Sequence, residues 1–190
     1  MEIRLATPND GAVIAEIYRP FVEGTAISFE TTPPDAAEMS HRISTGMATH
    51  PWLVAESEAD IIGYAYAQPH RIRPAYQWSV DVSVYVTSGQ RRSGVATTLY
   101  DVLLESLKSL GFRMAFAGIA LPNDASIGFH RRLGFELVGT YPSVGYKLGE
   151  WRDVTWLSRK LGDTTMPPDP PIRLSVAIPE VEEIIARERW

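Results

Sequence analysis

One stretch limits what the chain can fold into more than any other. Residues 84–104 read V-Y-V-T-S-G-Q-R-R-S-G-V-A-T-T-L-Y-D-V-L-L. A β-branched and aromatic run predicts a strand, a basic glycine-containing turn follows, and the spacing then becomes helical. Val95, Leu99, Val102, Leu103, Ser106 and Leu110 make one stripe of that helix, and Gly111 stands where a glycine ends one. A helix that opens out of such a turn leaves several backbone N–H groups unpaired and aimed at one point. The helix dipole adds partial positive charge there, so the spot favours a phosphate. Gly94 and Ala96 carry little or no side chain, so a ligand can come close to the backbone, and Arg91 and Arg92 put charge at the rim. The alternative is a tight strand-to-helix turn with solvated arginines. A Walker A loop and a G-x-G-x-x-G dinucleotide fingerprint are both absent.

The rest of the chain supplies the sheet and helices around this turn. Residues 3–6 alternate like a strand. Thr7-Pro8-Asn9-Asp10 opens a helix carrying Ala12, Ile14, Ala15, Ile17 and Tyr18, which should weaken at Pro20. A second helix is predicted over 35–44. A β-hairpin is predicted from 51–56 and 61–67, and a long β segment over 76–86, where Ser79, Asp81 and Ser83 share a face. A strand over 114–120, a helix over 123–133 and closing strands over 136–140, 146–148 and 154–159 complete a mixed α/β layout, with helices flanking one sheet. The domain is expected to end near 161. Residues 162–190 read as a proline-rich linker, Met166-Pro167-Pro168-Asp169-Pro170-Pro171, and a tail whose Val181, Ile184 and Ile185 suit a short amphipathic helix from 179. Such a tail docks on its own domain or on a partner subunit, or stays disordered.

Composition removes several function classes. With 190 residues the chain can bury a real core. The net charge of −5 argues against a nucleic-acid binder that relies on bulk positive charge. Cysteine is absent, which excludes disulfides, thiolate metal sites and a Cys nucleophile. No run approaches the roughly 18 apolar residues of a membrane helix, and the N-terminus has no signal-peptide core. A cytoplasmic protein without membrane or nucleic-acid partners is expected. His41, His50, His70 and His130 are scattered without ligand spacing, so no metal is expected.

Two motifs in order carry a family resemblance. Arg91-Arg92-Ser93-Gly94-Val95-Ala96 fits [RQ]-x-x-G-x-[GA], and Asn123-Asp124-Ala125-Ser126 leads through His130 to Gly134-Phe135. Together they resemble the GNAT acyltransferases, and within them the phosphinothricin N-acetyltransferase family. Ser28-Phe29-Glu30, Pro51-Trp52-Leu53-Val54-Ala55, Gly63-Tyr64-Ala65-Tyr66-Ala67, Leu121-Pro122-Asn123-Asp124 and Gly145-Tyr146-Lys147 add to the likeness, which spans about residues 2–161. The resemblance implies the GNAT fold, a central, mostly antiparallel twisted sheet. It implies acetyl-CoA as cofactor and direct acetyl transfer to the amine of a small amino-acid-like substrate such as phosphinothricin or methionine sulfoximine. It also implies a homodimer. On this reading Val84, Tyr85 and Val86 present backbone groups to the pantetheine and thioester. Arg92, Ser93, Gly94, Val95, Ala96 and Thr97 hold the pyrophosphate with Arg91 at the rim, and Asn123 bonds the pantetheine arm. Ala96 departs from the glycine of many members but lies within the broader pattern.

Transfer to an amine needs a base, because an ammonium is protonated at neutral pH. It also needs donors for the carbonyl oxygen as charge develops there. Asp81 is the candidate base; burial must raise its basicity or a water must relay the proton. Its alternative is a structural carboxylate paired with an arginine. The oxyanion donor is expected at the backbone of Tyr85 or Val86. His130 stands where GNAT enzymes often place a tyrosine near the sulfur, and is the candidate to protonate or hydrogen-bond the thiolate; its alternative is a helix-face histidine satisfied by a carbonyl. An anionic amino acid calls for cations and aromatic walls, for which Arg71, Arg73, Tyr76, Trp78 and Lys147 are available, with Glu30 as an ammonium contact. Rival readings are an enzyme of the same fold acting on a peptide N-terminus or a polyamine, and an acyl-CoA-binding regulatory module without turnover.

Overall fold

The computed structural model describes residues 1–90, 92–165 and 167–187. Arg91, expected at the rim of the phosphate turn, lies outside them. Seven strands form one sheet in the order β1-β2-β3-β4-β5-β7-β6. They are β1 (Glu2–Leu5), β2 (Trp52–Ser57), β3 (Asp60–Pro69), β4 (Ser79–Val86), β5 (Met114–Ala120), β6 (Glu136–Lys147) and β7 (Glu150–Lys160). Every neighbouring pair is antiparallel except β4 and β5, which run parallel.

Both sheet faces are covered, which explains the unbroken apolar run at the start of β2. Leu53 and Ala55 enter a core shared with α3 (Val95–Ser109) and α5 (Leu174–Arg187). Trp52 and Val54 enter a second core under α1 (Gly11–Gly24) and α2 (Ala36–Gly46). Strand alternation thus feeds two cores from consecutive residues. The Asp35 side chain caps α2 by accepting from Glu38 N–H at 2.8 Å.

Three expectations are corrected. Pro20 does not weaken α1, which runs on to Gly24. A helix proline forfeits its own i→i−4 bond, and the burial of Ile17, Tyr18 and Val22 holds the helix on both sides of it. The two short strands expected over 136–140 and 146–148 are one strand, β6. Its register shifts between Tyr141 and Gly145, where Ser143 adopts φ 47° and donates its N–H to Asp153 Oδ1 at 2.7 Å. The tail helix begins at Leu174 rather than at 179, with a non-helical turn at Ala177 ahead of Pro179.

That tail docks on its own chain. Leu174, Ala177, Val181, Ile184 and Ile185 are buried in the α3 core. Three backbone acceptors lead it in: Trp78 Nε1 donates to Asp169 carbonyl at 2.8 Å, Ile172 N–H to Leu110 carbonyl at 2.8 Å, and Leu174 N–H to Thr49 carbonyl at 3.3 Å. No helix among the described residues is long and apolar enough to cross a membrane.

Candidate active site at the parting of two strands

The central feature is the seam between β4 and β5. They pair only over Ser79–Met114, Val80–Ala115 and Asp81–Phe116, yet β4 continues to Val86 and β5 to Ala120. Trp78 carbonyl accepts from β5, while Ser79 carbonyl and Thr87 N–H face β3. By strand alternation the backbone groups of Val82, Val84 and Val86 point into the gap, and those of Ser83 and Tyr85 toward β3. Of the two donors expected for an oxyanion, Val86 is therefore turned to the gap and Tyr85 is not. Tyr85 instead sends its ring into the aromatic floor on the α1 side.

Below the gap, β4 gives way to the basic turn and α3. Gly94 caps α3 in the left-handed region (φ 95°), and Arg92 is left-handed too (φ 65°). Gly94 offers no capping side chain; Ser93 Oγ accepts from Val95 N–H at 3.5 Å, and among the described residues the N–H groups of Ala96 and Thr97 remain outward donors. A Cβ on Gly94 would meet nothing within 4 Å. The glycine is thus demanded by its backbone angle, and the space above it is open. Arg92, Ser93, Gly94 and Thr97 are exposed, Ala96 is half-buried, and Val95 faces the core. This is an anion cradle of the kind expected.

The gap's far wall is α4 (Asp124–Arg132). Asn123 Oδ1 accepts from Ser126 N–H at 3.1 Å and caps α4, which leaves its NH₂ group for a ligand. His130 is buried. Its Nδ1–H donates to Ser126 carbonyl at 2.8 Å, and its Nε2 lies 3.2 Å from the Tyr100 hydroxyl. Burial lowers the His130 pKa, the carbonyl bond notwithstanding. The ring is therefore neutral with its proton on Nδ1, and Nε2 accepts from Tyr100. In this arrangement both ring nitrogens are engaged, Nδ1–H on the Ser126 carbonyl and Nε2 on the Tyr100 hydroxyl.

On the α1/α2 face lies a cleft of about 920 Å³. It shares Ser83, Tyr85, Gly118 and Ala120 with the gap, so the two meet at the parted strands. Its floor is an aromatic ladder. Trp52 stacks on Tyr66 at 4.2 Å, Tyr64 on Tyr85 at 5.4 Å, and Tyr18 meets Tyr85 edge-on at 4.9 Å. Asp81 lines this cleft at the last paired position. Burial pushes its pKa above the ordinary carboxylate value, against the pull of a 2.6 Å bond to His70 Nδ1.

The expected acceptor residues are dispersed. Glu30 lines the cleft but is held by Arg42 at 2.7 and 3.1 Å and by the Tyr18 hydroxyl at 3.1 Å. Burial raises its pKa, and the Arg42 bonds more than reverse this. An ammonium there would compete with a guanidinium already in place. Lys147, at the end of β6, is buried and donates Nζ to the Ser28 carbonyl at 2.6 Å; burial lowers its pKa. Arg71 is exposed, with Cζ 5.7 Å from the Trp156 ring centroid, and Arg73 and Tyr76 are exposed beside it. Trp78 is turned to the tail, its indole N–H spent on Asp169.

Sequence reasoning missed His70, Arg42, Tyr100 and the tyrosine ladder. His70 was within reach: it stands 11 residues before Asp81 across an antiparallel turn, but the register Gln68–Asp81 had to be known first. Among the described residues no cluster of three or more His, Cys, Asp or Glu could hold a metal.

A parallel pair that parts beside a helix N-terminus, with a carboxylate at the seam, fits what the resemblance implies, a transferase for acyl groups carried on a pyrophosphate-bearing thiol. Comparison with known proteins agrees. Residues 3–156 match the model of the acetyltransferase (GNAT) domain. Phosphinothricin N-acetyltransferase of Streptomyces viridochromogenes is 39% identical over 170 residues, covering 90% of this chain and 92% of that one. L-methionine sulfoximine/L-methionine sulfone acetyltransferase of Pseudomonas aeruginosa is 36% identical over 168 residues, covering 87% and 98%. The crystal structure of a phosphinothricin acetyltransferase from Sinorhizobium meliloti in complex with AcCoA superposes with a TM-score of 0.85 at 39% identity, covering 88% of this chain and 92% of that one. The chain belongs to the GNAT acetyltransferase family. It is an N-acetyltransferase and uses acetyl-CoA.

Proposed function

We propose that the chain acetylates the primary amine of a small amino-acid-like substrate of the phosphinothricin or methionine sulfoximine type, by direct transfer with Asp81 as base. The observation that carries this reading is the place of Asp81: a buried carboxylate of raised pKa, in the acceptor cleft, at the point where β4 and β5 part. The names of the relatives support the substrate class.

Acetyl-CoA supplies the acetyl group and a thiolate leaving group. Its pyrophosphate fits the N–H groups and open space at residues 92–97, and its pantetheine arm fits the gap beside Asn123. Asp81 takes the proton of the incoming ammonium. The neutral nitrogen then forms its C–N bond to the carbonyl carbon as the C–S bond breaks, and the second proton shed by that nitrogen passes to the departing thiolate, so that the products are the amide and the free thiol. N–H groups of Val84 and Val86 meet the carbonyl oxygen as it gains charge. His130 acts through Tyr100: as an acceptor it anchors the hydroxyl that lines the gap. The aromatic ladder and the Arg42–Glu30 pair wall the acceptor.

A homodimer and a cytoplasmic location are part of the same reading. The outer strand β6 exposes Leu137, Val138, Tyr141, Val144 and Tyr146, and Tyr141 and Val144 also line the cleft. A second copy on this edge would complete the acceptor wall. Val144→Glu with Tyr146→Glu should then give monomers by light scattering and raise the acceptor KM; a monomeric parent protein sinks this part.

The test of the whole is thiol release from acetyl-CoA with phosphinothricin, methionine sulfoximine, methionine sulfone, the common amino acids, spermidine and a short peptide. Fast release with the first three supports the reading. Release only with peptide or polyamine keeps the enzyme and overturns its substrate class.

A further inference from the structure

The base does not stand alone. His70, at the end of the β3 hairpin arm, reaches Asp81 Oδ1 with Nδ1 at 2.6 Å. The ring is clamped on three sides. It stacks on Phe116 of β5 at 4.3 Å and 18°, meets Trp156 of β7 edge-on at 5.6 Å and 84°, and meets Tyr76 at 6.1 Å. Gly118 makes that clamp possible: a Cβ there would sit 3.1 Å from the Trp156 ring. The backbone is fixed as well, since His70 carbonyl accepts from Arg71 Nη1 at 2.7 Å and His70 N–H donates to Ser79 carbonyl at 3.2 Å. Among the described residues the Asp81 carboxylate takes no second hydrogen bond. Phe116, Trp156 and Tyr76 are no substitute for the imidazole, because none of them offers Asp81 a donor here.

We propose that His70 is the positioning residue of the base: its Nδ1–H fixes one carboxylate oxygen of Asp81 and turns the other toward the acceptor amine. The inference rests on the reading of Asp81 as base. A clamped donor prevents the carboxylate from rotating to meet a water or a neighbouring arginine, so the free oxygen keeps one direction through the cycle. The same bond offsets part of the burial that opposes the Asp81 anion. The groups facing the pair that titrate or carry charge are Arg71 beside it, Tyr66 of β3 and Tyr76 of the turn over Pro74–Tyr76; β5 and β7 contribute only Phe116 and Trp156. Removing the donor should therefore raise the Asp81 pKa further, while Glu30 in the same cleft stays held by Arg42.

The experiment compares His70→Phe, His70→Asn and Asp81→Asn across pH, with acetyl-CoA and methionine sulfoximine. Phe keeps a ring for the Phe116 stack and loses the donor; Asn places an N–H near the Nδ1 position. His70→Phe should lose about tenfold in kcat with both KM values within about twofold. The acidic limb of its kcat/KM profile should move up by about one pH unit. His70→Asn should return the limb toward the parent position. A His70→Phe enzyme with parental kcat and limb overturns the inference, as does an Asn variant no better than Phe. If Asp81→Asn is inactive while His70→Phe matches the parent, the base stands and only His70 falls. If Asp81→Asn stays active, the base reading falls and this inference with it. A readout on the unmodified protein needs no variant to fold: ¹⁵N NMR of labelled histidine should find the His70 proton on Nδ1, and an Nε2–H tautomer would overturn the proposal.

Discussion

The two sides of the parted strands are built from different material. The cofactor side is backbone: N–H groups of the α3 first turn, β4 amides aimed into the gap, and one glycine at φ 95°. Most of it comes from one contiguous stretch, to which the start of α4 adds Asn123. The acceptor side is side chains from α1, α2, β2, β3, β4, β5, β6 and β7, joined only by the fold. Backbone donors are supplied by any sequence that makes the turn, so that side tolerates substitution and is written in a short motif. Side-chain walls change one residue at a time, so that side can take on a new acceptor without disturbing the old cofactor.

If this contrast is right, Asp81→Asn should cost the most. kcat should fall about a thousandfold while the acetyl-CoA affinity stays put. The same variant should not lose stability. Burial raises the Asp81 pKa in the fold, so ionisation disfavours the folded state as pH rises through that value; Asn avoids this. Its Tm at pH 8 should equal or exceed the parent's, and a clear loss would mark Asp81 as structural instead.

His50 probes the cleft floor. Burial lowers its pKa to about 4. The unfolded chain takes up a proton below the ordinary value of 6.5 while the fold does not, so stability is present above that pH and drains between 6.5 and about 4. The drain should approach about 3 kcal/mol at pH 4, and His50→Phe should remove it in urea titrations at the two pH values.

Gly94→Val attacks the backbone side. A β-branched residue at φ 95° is strained by roughly 2 kcal/mol, so the acetyl-CoA KM should rise more than about tenfold with the acceptor KM unchanged. Arg42→Met is the mirror image on the side-chain wall. It frees Glu30 and should shift the acceptor KM about tenfold, leaving acetyl-CoA alone. If either variant moved both constants equally, the two sides would not be separable. Ala96→Gly should do least: acetyl-CoA KM within about twofold, with a small loss of helix stability.

The legibility of the chain follows the same division. The strand–turn–helix, the helix over 123–133 and the hairpin could be read because each is local, set by spacing over a few residues. The continuity of α1 through Pro20 could not, since burial of Tyr18 and Val22 decides it from outside the helix. Trp78 and Lys147 carry suitable chemistry but are spent on Asp169 and Ser28, partners 91 and 119 residues away. His70 stayed hidden for the opposite reason. Its partner is close in sequence, but only the β3–β4 register shows that they meet.

The docked tail has a consequence for anyone handling this protein. A gene cut at residue 161, where the motifs end, would remove Leu174, Val181, Ile184 and Ile185 from beneath the helix that carries the phosphate turn. Their burial is worth about 1.5–3 kcal/mol each as an upper estimate, comparable in sum with the whole net stability of a typical domain. A shortened product should therefore arrive as inclusion bodies or as a protein with weak acetyl-CoA binding. The part of such a chain that carries the motifs is not the smallest part that can be made.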